Sequence, residues 1–526
     1  MKVVKPIGIL LTTLLALAFA WNPGPAAQPA LSRESRQPSL PALDRNSDDG
    51  ADIRALIHSD LVVTSAGSPD AGRAVTAGTV DLTVKGFSLT QGVSNEPLVL
   101  GKLTAARVNV NLPADVNVDA QIRVEVDGSV AERTMNLVGP EVTATLRIDA
   151  PHQVKPVTAR VTVTPVGDVT DPDPSNNTST ATYQTVQTTE KVVVFFLPVD
   201  WTPEERSKYT YNTTFKQYVQ DAGGFMIGTY PLPVIDAIVD YTMTPYMLQP
   251  FEKTLADSQG KFSMRNAVAL YGGLSIAGRR YRPDATIVIG VLPPGWFAKH
   301  GQPHMVGFAL PDVRGIVTGQ YEVNLPPIVA SHEISHLYFA GEDYDFAVKP
   351  NRPCFQINIP SYWVQRDQDL ANTSKKKLCT FLSAADSKVA YWADQRIYEY
   401  LMAKFTMNGG TASAPSILDA TMTWTIEDAG APSRSSGNTY RFEPTQPVYC
   451  SVAGIALKAG STLEAKLYRG NTLVSSADPQ TTVAGNKWYP FLVAESDTLK
   501  EGLYRVDVYL DGQLAKSSPF EVKASK

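Results

Sequence analysis

The sequence predicts a multidomain chain in which an α+β domain lies between two all-β sandwiches, and three observations carry that expectation. At 526 residues the chain is too long for one hydrophobic core, while 43% apolar and 19% charged residues are the proportions of a globular protein. Apolar and polar residues alternate with period two in two separate stretches, about 51–188 and 438–526. Between them, over 190–432, continuous apolar runs and helix-start signals replace the alternation.

The first twenty residues carry Lys2 and Lys5, an apolar run from Ile7 to Phe19, and the small-x-small ending Ala18-Phe19-Ala20. That order predicts a secretory signal peptide over 1–20, since the run is short for a bilayer span. The expected location is therefore secreted or at the cell surface. No Cys follows the run to take a lipid anchor, and no later stretch has the length of a transmembrane helix. Residues 21–50 hold Pro23, Pro25, Pro29, Pro38 and Pro41 with no apolar periodicity, which predicts a flexible spacer.

In the first alternating stretch Val108, Val110 and Leu112 interleave with Asn109 and Asn111. Ile122, Val124 and Val126 interleave with Arg123 and Glu125 before an Asp127-Gly128 turn, and Val157, Ala159, Val161 and Val163 repeat the period. This predicts an immunoglobulin-like sandwich with one face of each sheet buried. Its closing run Asp171-Pro-Asp-Pro-Ser-Asn-Asn177 resembles the ending of bacterial cell-adhesion-related sandwich domains, which implies a spacer or binding module, in contact with a cell surface or glycan.

The middle stretch opens on Val192–Leu197, a strand apolar on both faces, followed by Thr202 as N-cap, Pro203 at the first helical position and Glu205 three residues after the cap. Helical patterns recur at 215–222, 264–277 and 388–405, and a second buried strand is expected at Ile287–Leu292. Two Gly-rich pieces, 301–310 and 314–319, suit either an edge strand over a cleft, able to hold an extended peptide, or an ordinary hairpin. The long irregular stretch 346–385 encloses Cys354 and Cys379, whose pairing would stabilise by about 3 kcal/mol in the chain-entropy model; Cys450 is the third cysteine. Breaks at 408–410 and 431–437 mark the end of this domain. Alternation then returns: Leu463, Ala465 and Leu467 precede Gly470-Asn471, and Tyr504, Val506, Val508 and Leu510 precede Asp511-Gly512.

The chemistry concentrates in one run, Ser331-His332-Glu333-Ile334-Ser335-His336. On a helix the i and i+4 positions share a face, so His332 and His336 aim at one point while Glu333 sits one residue round. That pattern predicts a Zn2+ site with Glu333 as the general base of a hydrolysis. The net charge of −5 offers no basic field for nucleic acid, which is not an expected partner. No histidine follows His336, so the third ligand falls to a carboxylate just past the helix: Glu342, ten residues after His332, with Asp343 fitting nearly as well and Asp345 beyond it. Tyr344 and His304 are candidates to donate to an oxyanion.

Together His332-Glu-Ile-Ser-His336, Phe339-Ala-Gly341, Asp343 and Tyr344 resemble the bacterial IgA-peptidase family of metallopeptidases, with its HExGHxFAGLADEY run. The resemblance covers about fifteen residues. It implies a zincin-like α+β catalytic domain, zinc on His332 and His336, an acidic third ligand, and Glu333 as catalytic base. The chain departs from the motif in having Ser335 for its Gly, in a permuted acidic cluster, and in having no Met between His336 and Met402. The expected function is thus a secreted zinc endopeptidase acting on a protein or peptide substrate. The alternatives are a non-catalytic surface adhesion or scaffold protein with a structural zinc, and a zinc amidase acting on cell-wall peptide.

Overall fold

The computed structural model describes residues 73–74, 77–189, 192–209, 211–233, 235–239, 267–303, 305–309, 316–320, 328–338, 362–364, 368–369, 378–382, 390–427, 429–433 and 441–524. The expected signal peptide 1–20 and spacer 21–50 lie outside these residues. No described helix is long and apolar enough to cross a membrane.

Seven main strands form the first sandwich: β1 (Thr83–Thr90), β2 (Thr104–Asn111), β3 (Val116–Val126), β4 (Ser129–Val138), β5 (Glu141–Ile148), β6 (Val157–Pro165) and β7 (Thr178–Tyr183). One sheet runs β4–β3–β6–β7 and the other β1–β2–β5, with every one of these pairings antiparallel. The alternation has its physical cause here. Val108 and Val110 from one sheet meet Ile122, Val124, Val161 and Val163 from the other in a single core, while the intervening polar residues face outward. β3 and β4 join through Asp127-Gly128 with both φ angles positive, 50° and 92°, the turn whose twist matches the strands.

The middle of the chain contains β8 (Val192–Pro198), α1 (Pro203–Lys208), α2 (Tyr211–Thr229), β9 (Ile235–Val239), α3 (Ala267–Tyr281), β10 (Ile287–Leu292), α4 (Trp296–Lys299), β11 (Gly307–Ala309), β12 (Ile316–Gln320), α5 (Ile328–Leu337) and α6 (Gln395–Thr406). Its sheet is ordered β9–β8–β10–β12–β11, parallel throughout except for β11, which lies antiparallel to β12 at one edge. β8 is apolar without alternation because both its faces are covered. Val192, Val194 and Phe196 enter a core with Phe215 and Val219 of α2, Ile334 of α5 and Ile397 of α6, whereas Phe195, Leu197 and Val199 enter a second core with Tyr271 and Leu274 of α3. α1 starts as expected, with Thr202 and Glu205 forming a reciprocal capping box. α6 begins later than the apolar spacing suggests, at Gln395, because the Asp394 carboxylate accepts from the Ile397 amide at 2.8 Å and fixes the N-terminus there.

The second sandwich comprises β13 (Ser416–Thr423), β14 (Val448–Leu457), β15 (Thr462–Arg469), β16 (Thr472–Ser476), β17 (Gly485–Ala494), β18 (Gly502–Leu510) and β19 (Gln513–Val522). One sheet is β13–β14–β17 and the other contains β19–β18–β15–β16. β13 precedes the boundary that the alternation suggests at 438, yet pairs antiparallel with β14. It lacks the alternating signature because Asp419, Thr421 and Thr423 are buried on it. Finally, a three-stranded strip ties the parts together: Thr185–Gln187 pairs in parallel with Leu98–Val99 and antiparallel with Thr411–Ala412.

Candidate metal centre

α5 is buried on all sides but one. Ile328, Val329, Ala330, Ser331, Glu333, Ile334, Ser335 and Leu337 are buried, while His332 and His336, one turn apart, are the half-exposed stripe. Their ring centroids are 4.8 Å apart with the planes at 85°. The Nδ1 atom of His332 lies 2.9 Å from the carbonyl oxygen of Phe381. A carbonyl oxygen can only accept, so this nitrogen carries the proton, and Nε2 is the atom through which a neutral His332 would ligate a metal. Glu333 is 5% exposed, held inside the domain next to the two imidazoles.

The helix is placed by what lies behind it. Tyr230, just past the end of α2, is fully buried, and its hydroxyl is 2.6 Å from the Ser331 carbonyl and 2.9 Å from the Ser335 hydroxyl. Ser335 Oγ in turn donates to the Ser331 carbonyl at 2.9 Å. Burial raises the Tyr230 phenol above its ordinary range, so it stays neutral and keeps its proton to donate. At the other end the Tyr400 hydroxyl of α6 donates to the Tyr338 carbonyl at 2.8 Å, holding the chain one residue beyond α5.

α2 is anchored from the first sandwich. The Lys102 ammonium, fully buried, donates to the carbonyl oxygens of Ile227 and Tyr230, the latter at 2.8 Å, at the negative end of the helix dipole. Trp392 likewise donates from Nε1 to the Gly92 carbonyl at 2.8 Å.

Of the residues predicted from sequence, the structure brings His332, Glu333 and His336 together on α5. Glu342, Asp343, Asp345, Tyr344 and His304 lie outside the described residues, and among those described no group of three or more His, Cys, Asp or Glu is arranged to hold a metal. The donor set present fits zinc as far as it goes, with two imidazoles on one helix face and one fixed in the tautomer that ligation needs. Cys379 is disulfide-bonded and Cys450 is a buried free thiol; Cys354 is outside the described residues. Sequence reasoning missed Tyr230, Lys102 and Phe381. Neither a lone tyrosine nor a lysine in a β-sandwich signals such a role, and a backbone carbonyl leaves no trace in a sequence.

No family model matches this chain, and no curated protein matches it. Among solved structures, the CARDB domain of a Pyrococcus furiosus protein, determined with di-metal ions, is 22% identical, with 21% of this chain aligned to 90% of that one at a TM-score of 0.16. OgpA from Akkermansia muciniphila is 10% identical, aligned over 64% of this chain and 92% of its own, at 0.25. An immunoglobulin-like protein from Pseudomonas aeruginosa is 10% identical over 21% of this chain and 97% of its own, at 0.15. None of these scores reaches the level at which a shared fold follows.

Proposed function

We propose that this chain is an exported zinc-dependent endopeptidase, with His332 and His336 as ligands, Glu342 or Asp343 supplying the third, and Glu333 as general base. The observation that carries the reading is the half-exposed imidazole stripe on an otherwise buried helix, with His332 oriented by the Phe381 carbonyl. Exposed polar residues on a helix ordinarily vary without pattern; two imidazoles one turn apart, beside a buried carboxylate, form a donor set. The mixed sheet of the middle domain, with its antiparallel edge strand β11 beside α5, supports a zincin-like α+β arrangement. Such an edge offers main-chain groups to an extended peptide.

Bound zinc supplies Lewis acidity to the scissile carbonyl and lowers the pKa of attacking water. The chain's own residues do the rest. His332 and His336 fix the position of the reacting centre. Glu333 takes the proton from the water as the new C–O bond forms, and returns it to the leaving nitrogen as the peptide C–N bond breaks. The two sandwiches are then spacers or contacts to a cell surface or glycan.

Cleavage of casein or a peptide library, measured beside zinc content for wild type and Glu333→Gln, tests the proposal. The variant is expected to retain metal and to lose roughly 10²–10⁴-fold in kcat/KM, the usual contribution of a general base. Equal turnover by both proteins would overturn it.

A further inference from the structure

Phe381 connects the site to a covalent cross-link. Its carbonyl accepts from His332 Nδ1 at 2.9 Å, and its amide donates to the Trp392 carbonyl at 2.9 Å. Its ring packs edge-on against Phe225 and Tyr230 at 6.1 and 6.2 Å. It stands two residues beyond the disulfide-bonded Cys379, at the end of a three-residue strand, Leu378–Thr380, paired in parallel with Ala390–Trp392. The segment is fully buried at Cys379, Thr380 and Phe381, directly beside the imidazole it orients.

We propose that the disulfide at Cys379 is a positioning device for the metal centre: it fixes the Phe381 carbonyl, and through it the tautomer and orientation of His332, so that opening the cross-link weakens metal binding. This rests on His332 being a ligand. A partner that accepts from the second nitrogen of a ligating imidazole sets both its ring orientation and its basicity, and losing that partner lowers metal affinity by about 10–100-fold. Opening the disulfide takes two electrons, either from a dithiol, which gives up its two protons and closes to its own disulfide, or from a phosphine, which becomes the phosphine oxide while water supplies the oxygen and both protons; two thiols are left. The Phe381 carbonyl then loses its tether and the His332 ring its fixed acceptor.

The test is zinc affinity, measured by competition with a chromophoric chelator. The proteins compared are oxidised wild type, wild type reduced with a phosphine and alkylated, Cys379→Ser, Cys450→Ser and His332→Ala. Reduced wild type and Cys379→Ser are expected to bind zinc about 10–100-fold more weakly than oxidised wild type, with oxidised Cys450→Ser unchanged. In the metal-free protein, the imidazole nitrogen signals of His332 should show a single Nδ1–H tautomer when oxidised and a tautomer mixture when the cross-link is open. If Cys379→Ser does not fold, wild type reduced below its melting temperature provides the same comparison. Affinities within twofold of one another, with His332→Ala still defective, would overturn the tether and leave the zinc reading standing. Full zinc affinity in His332→Ala would overturn the zinc reading itself.

Discussion

Lys102 is a cation held against carbonyl oxygens, and among the described residues no carboxylate is paired with it. Burial brings its ammonium down to about 7, against about 10.4 in an unfolded chain. Between those values the unfolded chain binds more protons than the folded one, so this group makes stability rise with pH from about 7 to about 10. Urea midpoints at pH 7 and pH 9.5 should show that rise in wild type, and Lys102→Met should lose it. That His332 and His336 share one helix face beside Glu333 was legible in the sequence, because helical periodicity alone brings i and i+4 together. The group that orients His332 was not, since it is a main-chain carbonyl 49 residues away and any residue type could supply it.

At the level of single elements, α5 is distinguished by what its hidden face is bonded to. Ser335 stands where the resembled family motif carries glycine, and its hydroxyl belongs to a three-way cluster with Tyr230 and the Ser331 carbonyl. Ser335→Gly removes a buried hydrogen-bonding group and places glycine inside a helix, each costing about 1 kcal/mol. A loss of about 2 kcal/mol is therefore expected in chemical denaturation, and if the proposed zinc site holds, its affinity should change little because both imidazoles remain. Strands β8 and β10 could be read from the chain because a doubly covered strand is an unbroken apolar run. β13 could not: Asp419 and Thr421 are buried on it, and polar residues in a strand ordinarily signal the solvent face.

Across the whole molecule, the first sandwich, the middle domain and the second sandwich meet at a buried group of charges. Glu96 comes from the first, Glu399 and Gln395 from α6, and Asp419 and Lys516 from the second sandwich. Lys516 Nζ is 2.5 Å from Glu399 Oε1, and Gln395 donates to the same carboxylate at 2.8 Å. Three carboxylates around one ammonium leave an excess of negative charge. Burial first, and the Glu399 charge second, raise Glu96 well above the carboxylate range and Asp419 to about 7. The folded state therefore holds more protons than the unfolded one between about pH 4 and pH 7, and this group makes stability fall as pH rises through that window, opposite in sign to Lys102. Asp419→Asn should flatten part of that fall in unfolding midpoints measured from pH 4.5 to 7.5. Lys516→Met, which leaves the carboxylates without their cation, should cost about 3–5 kcal/mol at neutral pH.

The strip formed by Leu98–Val99, Thr185–Gln187 and Thr411–Ala412 also decides how the chain would respond to tension. Val186 faces Ala412 and Gln187 faces Thr411, so the strand leading into the middle domain and the strand leading out of it lie side by side. A pull on the two ends of the chain reaches those two strands at the same end of their pairing. Those two residue pairs are then loaded one after the other, as in a zipper, rather than all at once. The strip is in that sense a clasp on the two segments through which the chain enters and leaves the middle domain.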